Sequence, residues 1–260
     1  MSFVDASAVT LLAPSHYRAV IPDSWQQGRG AFGGLVLGTL LRAIEQAAPG
    51  RPTRTLGGDI CGPVLPGPAD VRVVELRRGN NQTNLAATLT QGGTVLATAT
   101  AVLSGPRAVA APPFVPAPPP AAASWRDVPP IARDSRITPS FAQHYDYRSS
   151  VPAFTRGEPV IDGFIREREP LAQLDAPALV GRLDAWWPTL FSLEGAPRPC
   201  ATVSFMAEIL VDPATLPPAE PLRYRAQLMA LHEGFFVELR ELWNGERVVA
   251  LNQQTFAILR

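Results

Sequence analysis

The stretch Gly33 to Ala48, GGLVLGTLLRAIEQAA, places apolar residues at Leu37, Leu40, Leu41 and Ile44, the spacing of an α-helical face. Gly33-Gly34 stand at its start, and Pro49-Gly50 end it. Its first three turns are apolar on nearly every side, so the helix is expected to be covered all round rather than to lie on a surface. The segments downstream are short and strand-like: Val71 to Arg78, Leu85 to Gln91 and Thr94 to Leu103, with Thr53 to Val64 a weaker run interrupted by Gly57, Gly58 and Gly62. Gly92-Gly93 lies between the last two and reads as a two-residue hairpin turn.

The same order recurs. Asp175 to Phe191 (DAPALVGRLDAWWPTLF) is helix-like, with Pro177 in the first turn, where proline is tolerated. Phe164 to Glu167 precedes it as a short strand. Thr202 to Val211, Leu222 to Leu231, Phe235 to Trp243 and Arg247 to Leu259 follow, the last two flanking Asn244-Gly245. The turn glycines Gly92 and Gly245 lie 153 positions apart, and the strand starts Asp70 and Pro221 lie 151 apart. A nearly constant offset points to an internal duplication. A helix greasy on all sides needs a sheet curled around it. The expected fold class is therefore α+β, a double hotdog: two tandem hotdog units, each a long central helix wrapped by its own antiparallel sheet. Residues 1–105 form the first unit and 131–260 the second. Pro106 to Pro130, with Pro112-Pro113, Pro116 and Pro118-Pro119-Pro120, reads as an extended Pro/Ala-rich linker.

Composition removes several functions. The chain has 260 residues, with 23 basic against 23 acidic side chains and no lysine. Schiff-base, pyridoxal-phosphate and P-loop lysine chemistry is excluded. A neutral balance argues against general nucleic-acid binding. Two distant cysteines, Cys61 and Cys200, and three histidines suggest neither a disulfide framework nor a metal site. No apolar run reaches the ~20 residues of a membrane helix, and no signal-peptide pattern opens the chain, so a cytoplasmic location is expected. No G-x-S-x-G elbow is present.

Trp25 to Gly34 (WQQGRGAFGG) resembles the start of the first helix in double-hotdog acyl-CoA thioesterases of the type II kind. Glu75 to Asn80 (ELRRGN) is similar to the strand end that follows there, Asp184 to Pro188 to the second-helix segment, and Glu241-Leu242-Trp243 with Val249 to Gln254 to the last hairpin. The likeness spans roughly Trp25 to Leu259 apart from the linker. It implies an enzyme that cleaves an acyl-CoA by direct water attack, with the water held by an Asp, a Thr or Ser, and a Gln on strands of the second hotdog. Gln254 stands where that Gln is expected. Ser204 stands where the Asp is expected, and near Met229, the place of the hydroxyl residue, the neighbours are apolar.

Other residues could serve the same chemistry. Asp59 lies among Gly57, Gly58 and Gly62, which let a ligand or a backbone come close. Glu208, four residues after Ser204, shares its strand face, and His232-Glu233 ends the next strand. Gly33-Gly34 could offer backbone N–H groups to a developing oxyanion, and Arg77-Arg78 could meet coenzyme A phosphates. Asp184 is also a candidate, with Arg182 nearby as a surface partner. Trp186-Trp187 reads as core and Arg166 to Glu169 as a solvated face. Because Ser204 replaces the expected carboxylate, a non-catalytic hotdog that binds an acyl thioester is the alternative. A hydratase ranks last, since neither long helix carries a His. No cofactor and no metal are implied. The partner implied is acyl-CoA, and free edge strands leave a homo-oligomer open.

Overall fold

A computed structural model describes residues 1–108, 114, 124–132, 138–151 and 153–259. Most of the proline linker lies outside the described residues. The elements are α1 (Phe3–Ala6), β1 (Val9–Ala13), β2 (His16–Ile21), α2 (Gly33–Ala47), β3 (Thr53–Ile60), β4 (Gly67–Arg78), β5 (Gln82–Gln91), β6 (Thr94–Ser104), β7 (Tyr145–Ser149), β8 (Val160–Glu167), α3 (Ala176–Asp184), α4 (Leu190–Leu193), β9 (Cys200–Ile209), β10 (Leu222–His232), β11 (Phe235–Asn244) and β12 (Arg247–Ile258). Two short 3₁₀ turns precede α2 and β7, and a third lies between β9 and β10.

The duplication is plain in the strand order β1-β2-β4-β5-β6-β3-β9-β12-β11-β10-β8-β7. Each half runs two strands, a long helix, then four strands, and in each the strand after the helix lies at the inner end. Those two inner strands, β3 and β9, pair antiparallel from Asp59↔Ser204 to Thr55↔Glu208. The two wrapping sheets are joined edge to edge, so the units share one continuous twelve-stranded antiparallel sheet among the described residues. An inner strand left alone would expose a row of unpaired N–H and C=O groups, and the other half supplies their partners. The Gly92-Gly93 turn forms as read, both residues at positive φ. The other hairpin turns one residue later than read, at Gly245-Glu246, because β11 runs on through Asn244.

Both helices sit against the inner face of the sheet and against each other. The start of α2 meets the end of α3: a side chain on Gly34 would strike the Phe32 ring and come 3.0 Å from Asp184 Cβ. At the other end Arg42 Nη1 bridges to Asp175 Oδ2 at 3.0 Å. The helices are thus antiparallel. Ten residues of α2 and all nine of α3 are buried. Asp175 caps α3 by accepting the Ala178 N–H at 2.8 Å. The helix does not reach Phe191 as its spacing predicted but stops at Asp184. Pro188 has no N–H for the Asp184 carbonyl, and its ring would collide with that carbonyl in a continuing helix. Trp186 is core as expected and stacks on Tyr224 at 4.8 Å. The run Arg166 to Glu169 is only partly a solvated face: Glu167 points inward and pairs with buried Arg182. Arg182 is therefore not the surface partner of Asp184.

Candidate active site

Strand periodicity decides which side chains meet at the centre of the second half. On β12 the inward positions are Ala250, Asn252, Gln254 and Phe256, all buried. On β9 the inward positions Phe205, Ala207 and Ile209 are odd-numbered. A register shift between Thr202 and Ser204 inserts one extra residue. A β-bulge of this kind inverts the alternation. Thr202 therefore faces in and Ser204 faces out. Gln254, wholly buried, donates from Nε2 to Thr202 Oγ1 at 2.6 Å and to Asp184 Oδ1 at 2.8 Å. Its Oε1 is buried with no donor among the described residues.

Asp184 reaches this cluster from the last turn of α3. Its carboxylate also accepts the backbone N–H of Gly34, in the first turn of α2. That helix begins at Phe32 with no capping side chain of its own, so Asp184 meets one of its otherwise unpaired donors and sits at the positive end of its dipole. Gly33 is needed for this approach, since a Cβ there would stand 2.9 Å from Asp184 Oδ2. Burial pushes the Asp184 carboxyl up from the ordinary carboxylate range, while Arg240, Gln254 and the Gly34 N–H pull it back. Arg240 on β11, fully buried, holds Nη1 3.8 Å from Asp184 Oδ1 and 3.1 Å from the Leu183 carbonyl.

The other nominated residues lie elsewhere. Ser204 and Asp59 are cross-strand neighbours on the outer face of the sheet, both exposed, so neither joins Gln254. Glu208 also faces outward, at the β3–β9 seam. His232 is exposed beside the Glu233-Gly234 turn. Arg77 and Arg78 are exposed near the end of β4, with Arg78 held by Glu75 at 2.6 Å. Gly33 and Gly34 do lie at the site, with the Gly34 N–H directed at Asp184. Sequence reading missed Thr202 and gave Asp184 the wrong neighbour. Asp184 carried a signal, an acid at the end of a mostly apolar helix just ahead of Trp-Trp-Pro. Thr202 carried none, because the bulge is not written in residue types.

The duplication places a counterpart in the first half. Thr53 on β3 opposes Leu103 as Thr202 opposes Phe256; the two threonines lie 149 positions apart, and Leu103 and Phe256 lie 153 apart. By that offset Gln254 corresponds to Ala101, a buried methyl. Thr53 Oγ1 instead donates to Glu45 Oε1 at 2.6 Å. Glu45 borders a cavity of about 580 Å³ beside Asp175 and Leu171, and burial raises its carboxyl to about 6. A carboxyl raised on folding contributes its stability at low pH and loses it as pH rises through the folded value. Glu45→Gln is therefore expected to remove a fall in stability between about pH 4.5 and 6, worth roughly 1 to 2 kcal/mol. Denaturant midpoints across that range check it; equal slopes for both proteins would contradict it.

A buried carboxylate, an amide and a hydroxyl thus meet at a helix N-terminus inside a double hotdog. Models of the acyl-CoA thioesterase N-terminal and C-terminal domains match residues 21–104 and 114–258. The chain belongs to the acyl-CoA thioesterase family. Solved structures share the fold along nearly the whole length. A conserved hot dog protein from Alicyclobacillus acidocaldarius is 24% identical, with 99% of this chain and 98% of that one covered at TM-score 0.84. An acyl-CoA thioesterase II, TesB2, from Mycobacterium marinum is 17% identical, with 99% and 98% covered at 0.78. The tesB protein of Mycobacterium avium subs paratuberculosis is 14% identical, with 99% and 98% covered at 0.80. No curated protein matches. Among the described residues no helix is long and apolar enough to cross a membrane, and no group of three His, Cys, Asp or Glu could hold a metal.

Proposed function

We propose that the protein hydrolyses an acyl-CoA thioester by direct attack of a water held by Asp184, Thr202 and Gln254. The hydrogen-bonded meeting of these three side chains carries the reading. It supplies the carboxylate, hydroxyl and amide that the family chemistry asks for, with Asp184 on a helix taking the part that the sequence assigned to Ser204. Gln254 and Thr202 orient the water, and Asp184 takes its proton as the oxygen bonds to the thioester carbonyl carbon. The carbon–sulfur bond then breaks, and the departing thiolate takes from Asp184 the proton that the water gave up. The positive end of α2 faces the charge that develops on the carbonyl oxygen. Phe236, Phe256 and Leu190 form a separate apolar cluster beside the trio. Phe256 lies two residues beyond Gln254 on the same strand face, and the cluster offers the acyl chain an oily wall.

The test is thiol release from a chain-length series of acyl-CoAs by the purified protein. Gln254→Ala is expected to lower kcat about 100- to 1000-fold, the range for losing one positioned polar group in such a site. Saturable acyl-CoA binding without thiol release would overturn the hydrolase reading and favour a binder.

A further inference from the structure

Arg240 is an uncommon residue to find with its side chain wholly buried. From β11 its Nε donates to Glu238 Oε2 at 3.1 Å, and Nη2 lies 2.9 Å from the same oxygen. Nη1 reaches the carbonyls of Leu183 at 3.1 Å and Asp184 at 3.5 Å. The guanidinium carbon stands 5.2 Å over the Phe256 ring. The other Glu238 oxygen accepts the Thr189 N–H. The Glu238–Arg240 pair thus grips the chain on both sides of Pro188, where the helix cannot satisfy its own carbonyls. A buried ion pair that served packing alone could be exchanged for apolar side chains with little loss. This one is aimed at the chain around Asp184: the Leu183 and Asp184 carbonyls, the Thr189 N–H and the Asp184 carboxylate.

We propose that Arg240, braced by Glu238, is a positioning residue for hydrolysis: it fixes the end of α3 so that the Asp184 carboxylate faces Gln254 and Thr202, and it supplies the positive charge opposite that carboxylate. The inference rests on the reading of Asp184 as the base. The charged and titratable groups around Asp184 are Arg240 and Glu238 from β11, Tyr224 from β10 and Tyr145 from β7. Arg182, on α3 itself, is committed to Glu167 from β8. Arg240 is the cation that pulls the Asp184 carboxyl back toward its ordinary range. Without it the carboxyl should hold its proton to higher pH. A base is active only when deprotonated, so activity should then fail at a higher pH as pH is lowered.

The experiment is the pH profile of kcat/KM for wild type, Arg240→Met, Arg240→Lys and the double variant Glu238→Gln/Arg240→Met. The double variant leaves no unpaired buried charge at these two positions and keeps the test readable if Arg240→Met does not fold. In Arg240→Met and the double variant the acid limb should move up by about one to three pH units, with much of the rate recovered above it. Arg240→Lys keeps the charge and should leave the limb near its wild-type place while lowering kcat. Folded variants whose activity is unchanged, or falls equally at every pH, would overturn the proposal. Full activity in Asp184→Asn would instead overturn the reading beneath it.

Discussion

Asp184→Asn is expected to lower kcat for thioester hydrolysis by about 100- to 10,000-fold, the range a positioned general base supplies, while the protein stays folded. Asparagine keeps an oxygen to accept the Gln254 Nε2 hydrogen bond but cannot take a proton from water. Folding should suffer little, because the carboxyl is already raised by burial and the amide removes the cost of desolvating a charge. Arg240 keeps Glu238 as its counter-ion. Steady-state rates on the preferred acyl-CoA, read beside a thermal melt, separate chemistry from folding. A rate within threefold of wild type would remove Asp184 from the mechanism. Ser204→Ala, on the outer face, makes a fitting comparison and should retain its rate.

The largest stability effect should come from Arg182→Met. The Arg182 and Glu167 side chains are 0% and 3% exposed, joined by a fork in which Nε lies 3.1 and 3.0 Å from the two carboxylate oxygens. Removing the cation alone strands a carboxylate in the core, which costs about 3 to 5 kcal/mol. The double variant Arg182→Met/Glu167→Leu should regain most of that loss, since two apolar side chains of similar bulk need no counter-charge. Chemical denaturation of wild type, both single variants and the double variant gives the coupling. A loss below about 1 kcal/mol in Arg182→Met would mean that water reaches Glu167.

The scaffold was readable because it follows periodicities that residues carry locally. The apolar run Gly33–Ala47, the strands β4 to β6 and β10 to β12, and the glycine turns between them all come from spacing and turn chemistry. The joint between β3 and β9 was hidden, because pairing between distant strands leaves no local mark. Strands β1, β2 and β7 were missed as well. Each is only five or six residues long. The site was legible only in part. Gln254 was found through its hairpin. Asp184 lies far from it along the chain and meets it only because α3 stops at the turn forced by Pro188. Ser204 and Thr202 would share a face in a regular strand, and the bulge between them sends Thr202 inward and Ser204 outward. Glu167 was read as solvated because its neighbours Arg166 and Arg168 are, and only alternation on β8 turns it inward.

The fused sheet has a consequence for how such proteins can change. Two identical subunits joined along their inner strands would carry two equal centres, and any substitution would strike both together. Covalent union breaks that equality. In this chain the carboxylate, hydroxyl and amide all come from the carboxy-terminal repeat, while the peptide N–H that meets the carboxylate belongs to the amino-terminal one. On the proposed reading the amino-terminal repeat needs no trio of its own: Ala101 stands at the counterpart of Gln254, and Thr53 bonds Glu45 instead.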